Sequence, residues 1–220
     1  MPGRCLFQLG FCAGVVALIV IANPPVGSRV FAREGVTVDR IVDELMAKDI
    51  ARIQDTLNIT TIVDDEPRME PFILDLWNGR REKYPDLPWD IVMTPQVRIH
   101  LANILVPAAQ LGRRSVSQED IRAYAWSMIE SPDDKVVIEA FNAISRFDQR
   151  EDVSRIGLYL ADDKHDGYAG FFGAVWGLAR MCNDDASRLL DALEKRITDQ
   201  ERQEIIADAR SQWEVHRICR

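Results

Sequence analysis

The chain has little with which to do chemistry. Three histidines and four cysteines in 220 residues leave few metal or thiol ligands. No His-Glu-x-x-His, Gly-x-Ser-x-Gly, paired Cys-x-x-Cys or dinucleotide fingerprint occurs, so zinc-protease, serine-hydrolase, dithiol-redox and nucleotide-cofactor readings have no motif to rest on. Glycines 170, 173 and 177 are not followed by Gly-Lys-Ser/Thr, which excludes a phosphate loop. Period-two alternation is almost missing, which argues against a sheet. Positive charge is in deficit: 27 Lys and Arg face 35 Asp and Glu, a formal charge of −8. A field of that sign repels phosphate backbones and anionic lipid, so nucleic acid and charged membrane surfaces are not expected partners.

The one long apolar run lies at the start. Arg4 precedes the uncharged stretch Cys5 to Ala22, followed by Pro24, Pro25 and Gly27, and Val30, Phe31 and Ala32 stand before Arg33. Residues 1–32 therefore read as an export signal, with cleavage near Arg33 and a periplasmic or secreted destination. An uncleaved N-terminal anchor is the competing reading, since eighteen apolar residues nearly span a bilayer; Gln8 and the proline pair favour cleavage, which leaves no membrane partner. Cys12 is a poor lipidation site because bulky Phe11 precedes it. Without residues 1–32 the chain keeps 25 basic and 35 acidic residues, a formal charge of −10. Of the cysteines, Cys182 and Cys219 then remain. The expected helix order brings them to one end, where a disulfide would close a loop of about 37 residues and stabilise by about 3–4 kcal/mol in an oxidising compartment. One buried and one terminal thiol is the alternative.

From Arg33 onward the pattern is all-α. Ile41, Val42, Leu45, Ile50, Ile53 and Leu57 share one face of a helix predicted over Asp39 to Leu57. Ile59 to Val63 reads as a short extended run, and a second helix covers Met69 to Lys83. Pro85, Pro88 and Pro95 then enclose an ordered loop around Trp89. Further starts fall at Thr94-Pro95, Ser117, Ser131-Pro132, Val153, Asp166, Asn183 and Thr198 with Glu201, each combining a capping residue, a first-turn proline or the end of a turn. Nine helices result. Pro107 lies inside the Pro95 helix and leaves a carbonyl for a neighbour to satisfy. Asn58, Ile59 and Thr60 form a glycosylation sequon, relevant only to a eukaryotic source.

Two segments repeat. Ala140, Ile144, Arg146 and Phe147 precede Ala174, Leu178, Arg180 and Met181 by 34 residues, and Ser154, Arg155 and Ile156 precede Ser187, Arg188 and Leu189 by 33. That period belongs to stacked helix pairs that share a core. Pro95, Val97, Arg98, Ala102 and Leu105 form one copy of a pattern repeated at Asp133, Asp134, Val136, Ala140, Ala143 and Ile144, where Val137 replaces the arginine, and more loosely at Asp163, Ala174, Gly177 and Leu178. In these residues the chain resembles the HEAT-repeat superfamily. The resemblance implies a short α-solenoid of antiparallel helix pairs over residues 95–220, with residues 33–94 as a helical cap and proline-rich loop packed with it as one domain. Ala140, Ala143, Ala174 and Gly177 are then the points where backbones approach closely.

The function expected of such a stack is non-enzymatic: a scaffold whose groove binds another envelope or secreted protein or peptide. Trp77, Trp89, Trp126 and Trp176 are the candidate anchors, each competing with a place in the core. No catalytic residue and no cofactor is assigned. The hydroxylase branch of the family holds iron with His-Glu pairs, and no histidine here precedes a glutamate. Its glycosylase branch needs a basic face, and its bilin-lyase branch works in the cytosol; neither suits an acidic chain with an export signal. The competing class is an exported hydrolase or metal-dependent enzyme with its site in the Pro85–Pro95 loop or in the cluster Asp162, Asp163, His165, Asp166. That cluster is oxygen-rich, but its spacing fits no ligand loop and its carboxylates suit helix capping. His100 reads as a surface or groove residue rather than a ligand.

Overall fold

The computed structural model describes residues 36–60, 67–112, 116–165, 167–181 and 183–216. The proposed signal of residues 1–32, most of the extended run ending at Val63, and Asp166, Cys182 and Cys219 lie outside these residues.

Eleven α-helices and no strand occur among the described residues. They are α1 (Val38–Ala47), α2 (Ile50–Asn58), α3 (Met69–Trp77), α4 (Trp89–Val92), α5 (Pro95–Gln110), α6 (Gln118–Met128), α7 (Asp134–Ser145), α8 (Arg150–Ala161), α9 (Tyr168–Arg180), α10 (Asp184–Arg196) and α11 (Gln200–His216), with a 3₁₀ turn at Asp163–His165. The expected count of nine is corrected at two places. The helix predicted over Asp39 to Leu57 is two helices. Lys48 turns left-handed at φ 58°, and the Asp49 carboxylate accepts from the amides of Ala51 and Arg52, so the chain stops and restarts within one apolar face. The proline-rich connection also contains α4, because burial of Trp89 and Val92 holds one helical turn there.

Other boundaries move for local reasons. α3 ends well before Lys83, where Asn78 leads into Gly79 at φ 66°. Ser117 and Asn183 cap α6 and α10 as expected, accepting from Asp120 N and Ala186 N at 3.1 and 2.9 Å. Asp133 rather than Ser131 caps α7, and Asp199 rather than Thr198 accepts the Arg202 amide at 3.0 Å. At α5 the Thr94 hydroxyl donates backwards to Ile91 O at 2.7 Å while Pro95 occupies the first turn.

α5, α7, α9 and α11 pack in succession, with α2 on the other side of α5. A second set covers them: α3 and α6 lie on α5, α6 also on α7, α8 on α9 and α10, and α10 on α9 and α11. Residues 35–220 form one contact unit, and α5 contributes to both of its apolar cores, through Ile99 on one side and Val97 and Leu101 on the other. Ala140, Ala143 and Ala174 have no exposed surface. A Cβ added at Gly173 would stand 2.9 Å from Phe141 Cδ2 and 3.2 Å from Ile138 Cα, so α7 and α9 meet at a distance only glycine tolerates. α6 is tied to α8 through fully buried Asp152, which accepts from Arg122 Nη2 at 2.8 Å, Arg122 Nε at 3.1 Å and Trp126 Nε1 at 2.9 Å.

Candidate functional site

The polar groups that the core leaves over gather on one face of α2, α5, α7 and α9. Pro107 has no N–H for the Asn103 carbonyl four residues earlier; that oxygen is taken by Arg146 Nη1 from α7 at 2.8 Å. Gln110 returns the contact through its amide to Arg146 O. The Asn103 amide group donates to Glu139 O at 3.1 Å and to Glu139 Oε2 at 3.0 Å, and the Asn142 amide joins the same carboxylate oxygen at 3.0 Å. On α9, Arg180 Nη1 donates to Asn142 Oδ1 at 2.6 Å. An asparagine on one helix and an arginine on the next thus recur along the face.

Two cavities of about 220 Å³ each open on this face, and His100 and Asn58 line both. The first is completed by Leu57, Thr60, Asn103, Ile104, Pro107, Asn142 and Arg146, the second by Gln54, Asp55, Lys135, Ile138 and Glu139. His100 is 5% exposed and makes no hydrogen bond among the described residues. Burial pushes its imidazole below the ordinary histidine range, Lys135 adds to this, and Glu139 and Asp55 oppose it, so the ring is neutral at pH 7. Asn103 is 8% exposed, and its Oδ1 is buried without a partner. The amide orientation is set by its neighbours, because the two groups facing Nδ2 are both acceptors. Burial lowers the pKa of Arg146, and Arg180 adds to that shift; Arg180 is also lowered by the packing around it, while Glu139 opposes both effects. Both guanidinium groups remain charged.

Tyr168, Phe172, Trp176 and Arg180 recur every four residues along α9. Tyr168 stacks on Phe172 at 5.8 Å, and Phe172 tilts against Trp176 at 5.7 Å. Trp176 Nε1 is buried with no partner. Of the sequence candidates, Trp176 alone stands in this row. Trp126 is core, its N–H spent on Asp152 and its face covered by Arg155 at 3.8 Å. Trp89 is buried with its N–H on Tyr84 O at 2.9 Å. Trp77 is part-buried edge-on to Tyr124, with Arg98 4.8 Å from both rings. The four do not converge.

Neither location considered for an enzyme lines the two cavities. Just before the proline-rich loop, buried Asp75 of α3 receives Lys83 Nζ at 2.8 Å and Arg80 Nε at 3.2 Å, and Tyr84 meets Phe72 edge-on, all of which order the chain that leads into it. Near residue 162, His165 stacks on Tyr159 at 4.1 Å; its Nε2 lies 3.9 Å from Asp162 and 3.5 Å from Glu130, and Asp162 Oδ1 accepts from the Lys164 amide. Asp166 and the side chain of Asp163 are outside the described residues. Among the described residues no three His, Cys, Asp or Glu side chains stand where they could share a metal ion, and no helix is long and apolar enough to cross a membrane.

No family model matches the chain, and neither a curated protein nor a solved structure matches it. The residues of this face that sequence reasoning passed over are Asn103, Glu139 and Asn142. The signal for part of the face was present, in the recurrence of Arg146 and Arg180 at the repeat spacing.

Proposed function

We propose that the chain is a short HEAT-like α-solenoid without catalytic activity, which holds a polypeptide segment of another protein on the face of α2, α5, α7 and α9. With residues 1–32 read as an export signal, that partner is an envelope or secreted protein. The observation that carries the reading is Asn103: its amide hydrogens are committed to Glu139, and its Oδ1 is buried without a donor beside an open cavity. An orphaned buried acceptor costs about 1–3 kcal/mol, which a ligand N–H would recover. Trp176 Nε1, on the same run of helices, lacks an acceptor. A polypeptide backbone supplies both groups at short intervals. The rings of α9 favour side-chain contact over sugar stacking, because they cover one another's faces.

The test is selection of binders from a random dodecapeptide library displayed against the full-length chain. A photo-crosslinking residue is placed at Ile138, which lines a cavity, or at Leu158, which is exposed on α8. Selected peptides should crosslink at Ile138 and not at Leu158, and Asn103→Leu should weaken them at least about tenfold. Crosslinking at Leu158 alone, indifference to Asn103→Leu, or a library that yields no binder would each refute the proposal.

A further inference from the structure

The two cavities differ in charge. Aspartate 55, Glu139 and Lys135 line the second, whereas among the described residues Arg146 is the one formally charged group lining the first, and no carboxylate joins it. Among the described residues Arg146 makes no ion pair. One nitrogen is committed to Asn103 O, and the remaining guanidinium donors make no hydrogen bond among the described residues. Arg180, the neighbour that shifts it, is held on Asn142 Oδ1. Glu139 lies close enough to act on both arginines, yet one of its oxygens is occupied by two asparagine amides. A guanidinium bordering a cavity that no carboxylate lines is unexpected in a chain with 35 acidic residues.

We infer that the first cavity receives the C-terminal carboxylate of the partner polypeptide, an inference that rests on the polypeptide reading above. The carboxylate would accept from the open donors of Arg146, a geometry to which a guanidinium fork is suited. The amides of Asn58 and Asn142 line the same space. A chain end carries its own N–H within one residue of its carboxylate, and Asn103, whose Oδ1 has no donor, lines the same cavity. Leu57, Ile104 and Pro107 provide the apolar wall for the last side chain. A volume of about 220 Å³ lies below the ~300–1,000 Å³ of pockets that enclose drug-sized ligands, which suits the end of a chain and not a folded element. An internal aspartate or glutamate offers the same anion, but its carboxylate is separated from the backbone N–H by a flexible side chain.

The experiment compares fluorescent peptides from the library selection in three forms: free acid, C-terminal amide, and C-terminal amide with glutamate as its last residue. The free acid should bind at least about tenfold more tightly than the amide. Raising salt from about 0.05 to about 0.5 M should weaken the acid more than the amide, and Arg146→Gln should abolish the difference between them. Since Arg146 also satisfies a helix carbonyl, Arg180→Gln is run in parallel and should reduce the difference without removing the fold. Equal affinity of acid and amide, with crosslinking at Ile138 retained, would overturn the terminal-carboxylate assignment and leave the polypeptide reading standing. Rescue of the amide by that glutamate would overturn it in favour of an acidic side chain. Failure of every peptide to bind would remove both.

Discussion

Replacing Arg146 by methionine should destabilise the protein by an amount that depends on residue 107. In the native chain Arg146 Nη1 satisfies the Asn103 carbonyl that Pro107 leaves unpaired. A hydrogen bond from a charged group to such an oxygen contributes about 1.5–3 kcal/mol. Arg146 is half-buried, so the lower end applies, and Arg146→Met is expected to cost about 1.5 kcal/mol, or about 3–6 °C in Tm at this chain length. Pro107→Ala restores an N–H within a continuous helix. Pro107 is exposed, so little packing is lost, and since proline in a helix interior is about 3 kcal/mol less favourable than alanine, the variant should be stabilised or unchanged. Against that background Arg146→Met should cost less than about 0.5 kcal/mol, because the helix now satisfies its own carbonyl. The contact from Gln110 to the Arg146 carbonyl survives in all four proteins, since it involves the backbone of residue 146. The double-mutant cycle, measured by urea denaturation with an unchanged m-value, should therefore give a coupling of at least about 1 kcal/mol. Equal costs for Arg146→Met in both backgrounds would refute the reasoning.

Gly173→Ala should destabilise by about 1–2 kcal/mol, overpacking against Phe141 and the Ile138 backbone outweighing the gain in helix propensity, whereas Gly177→Ala, whose Cβ would stand 3.4 Å from Phe141 O, should be near neutral. Thermal melts that reverse this order would disprove the close approach of α7 and α9. The lowered pKa of His100 means the unfolded chain binds a proton that the folded one resists, so stability should fall as pH drops below the ordinary histidine value of about 6.5 toward the folded-state pKa. His100→Asn should flatten the slope of unfolding free energy between about pH 7 and pH 5; an unchanged slope would show that His100 does not carry it.

The helical class and much of its punctuation were legible locally. Ser117 and Asn183 cap helices because a short oxygen-bearing side chain placed before an apolar period has few other uses. Alanines 140, 143 and 174 were readable as close-packing points because small residues recurring at the spacing of a helical repeat exclude other roles. The break at Lys48 was not legible: the apolar face continues through it, and only the left-handed residue and the Asp49 cap interrupt the helix. The fate of the tryptophans was also hidden, since a buried indole is distinguished from an exposed one by whether its N–H finds a partner such as Asp152, 26 residues away.

By itself the sequence determined that this chain forms helices, where most of them start, which residues are small enough for helices to touch, and that its excess charge is acidic. Each of these depends on neighbours within a turn or two, or on a sum over residues. Only the tertiary structure decided that Asn103 meets Glu139 across 36 positions, that the Asn103 carbonyl left unpaired by Pro107 falls to Arg146, and that this guanidinium borders a cavity lined by no carboxylate and by an asparagine with an orphaned amide oxygen. Those facts arise from the offset between successive helices, which the close approach of Gly173 to Phe141 and the Ile138 backbone constrains and which no local preference encodes.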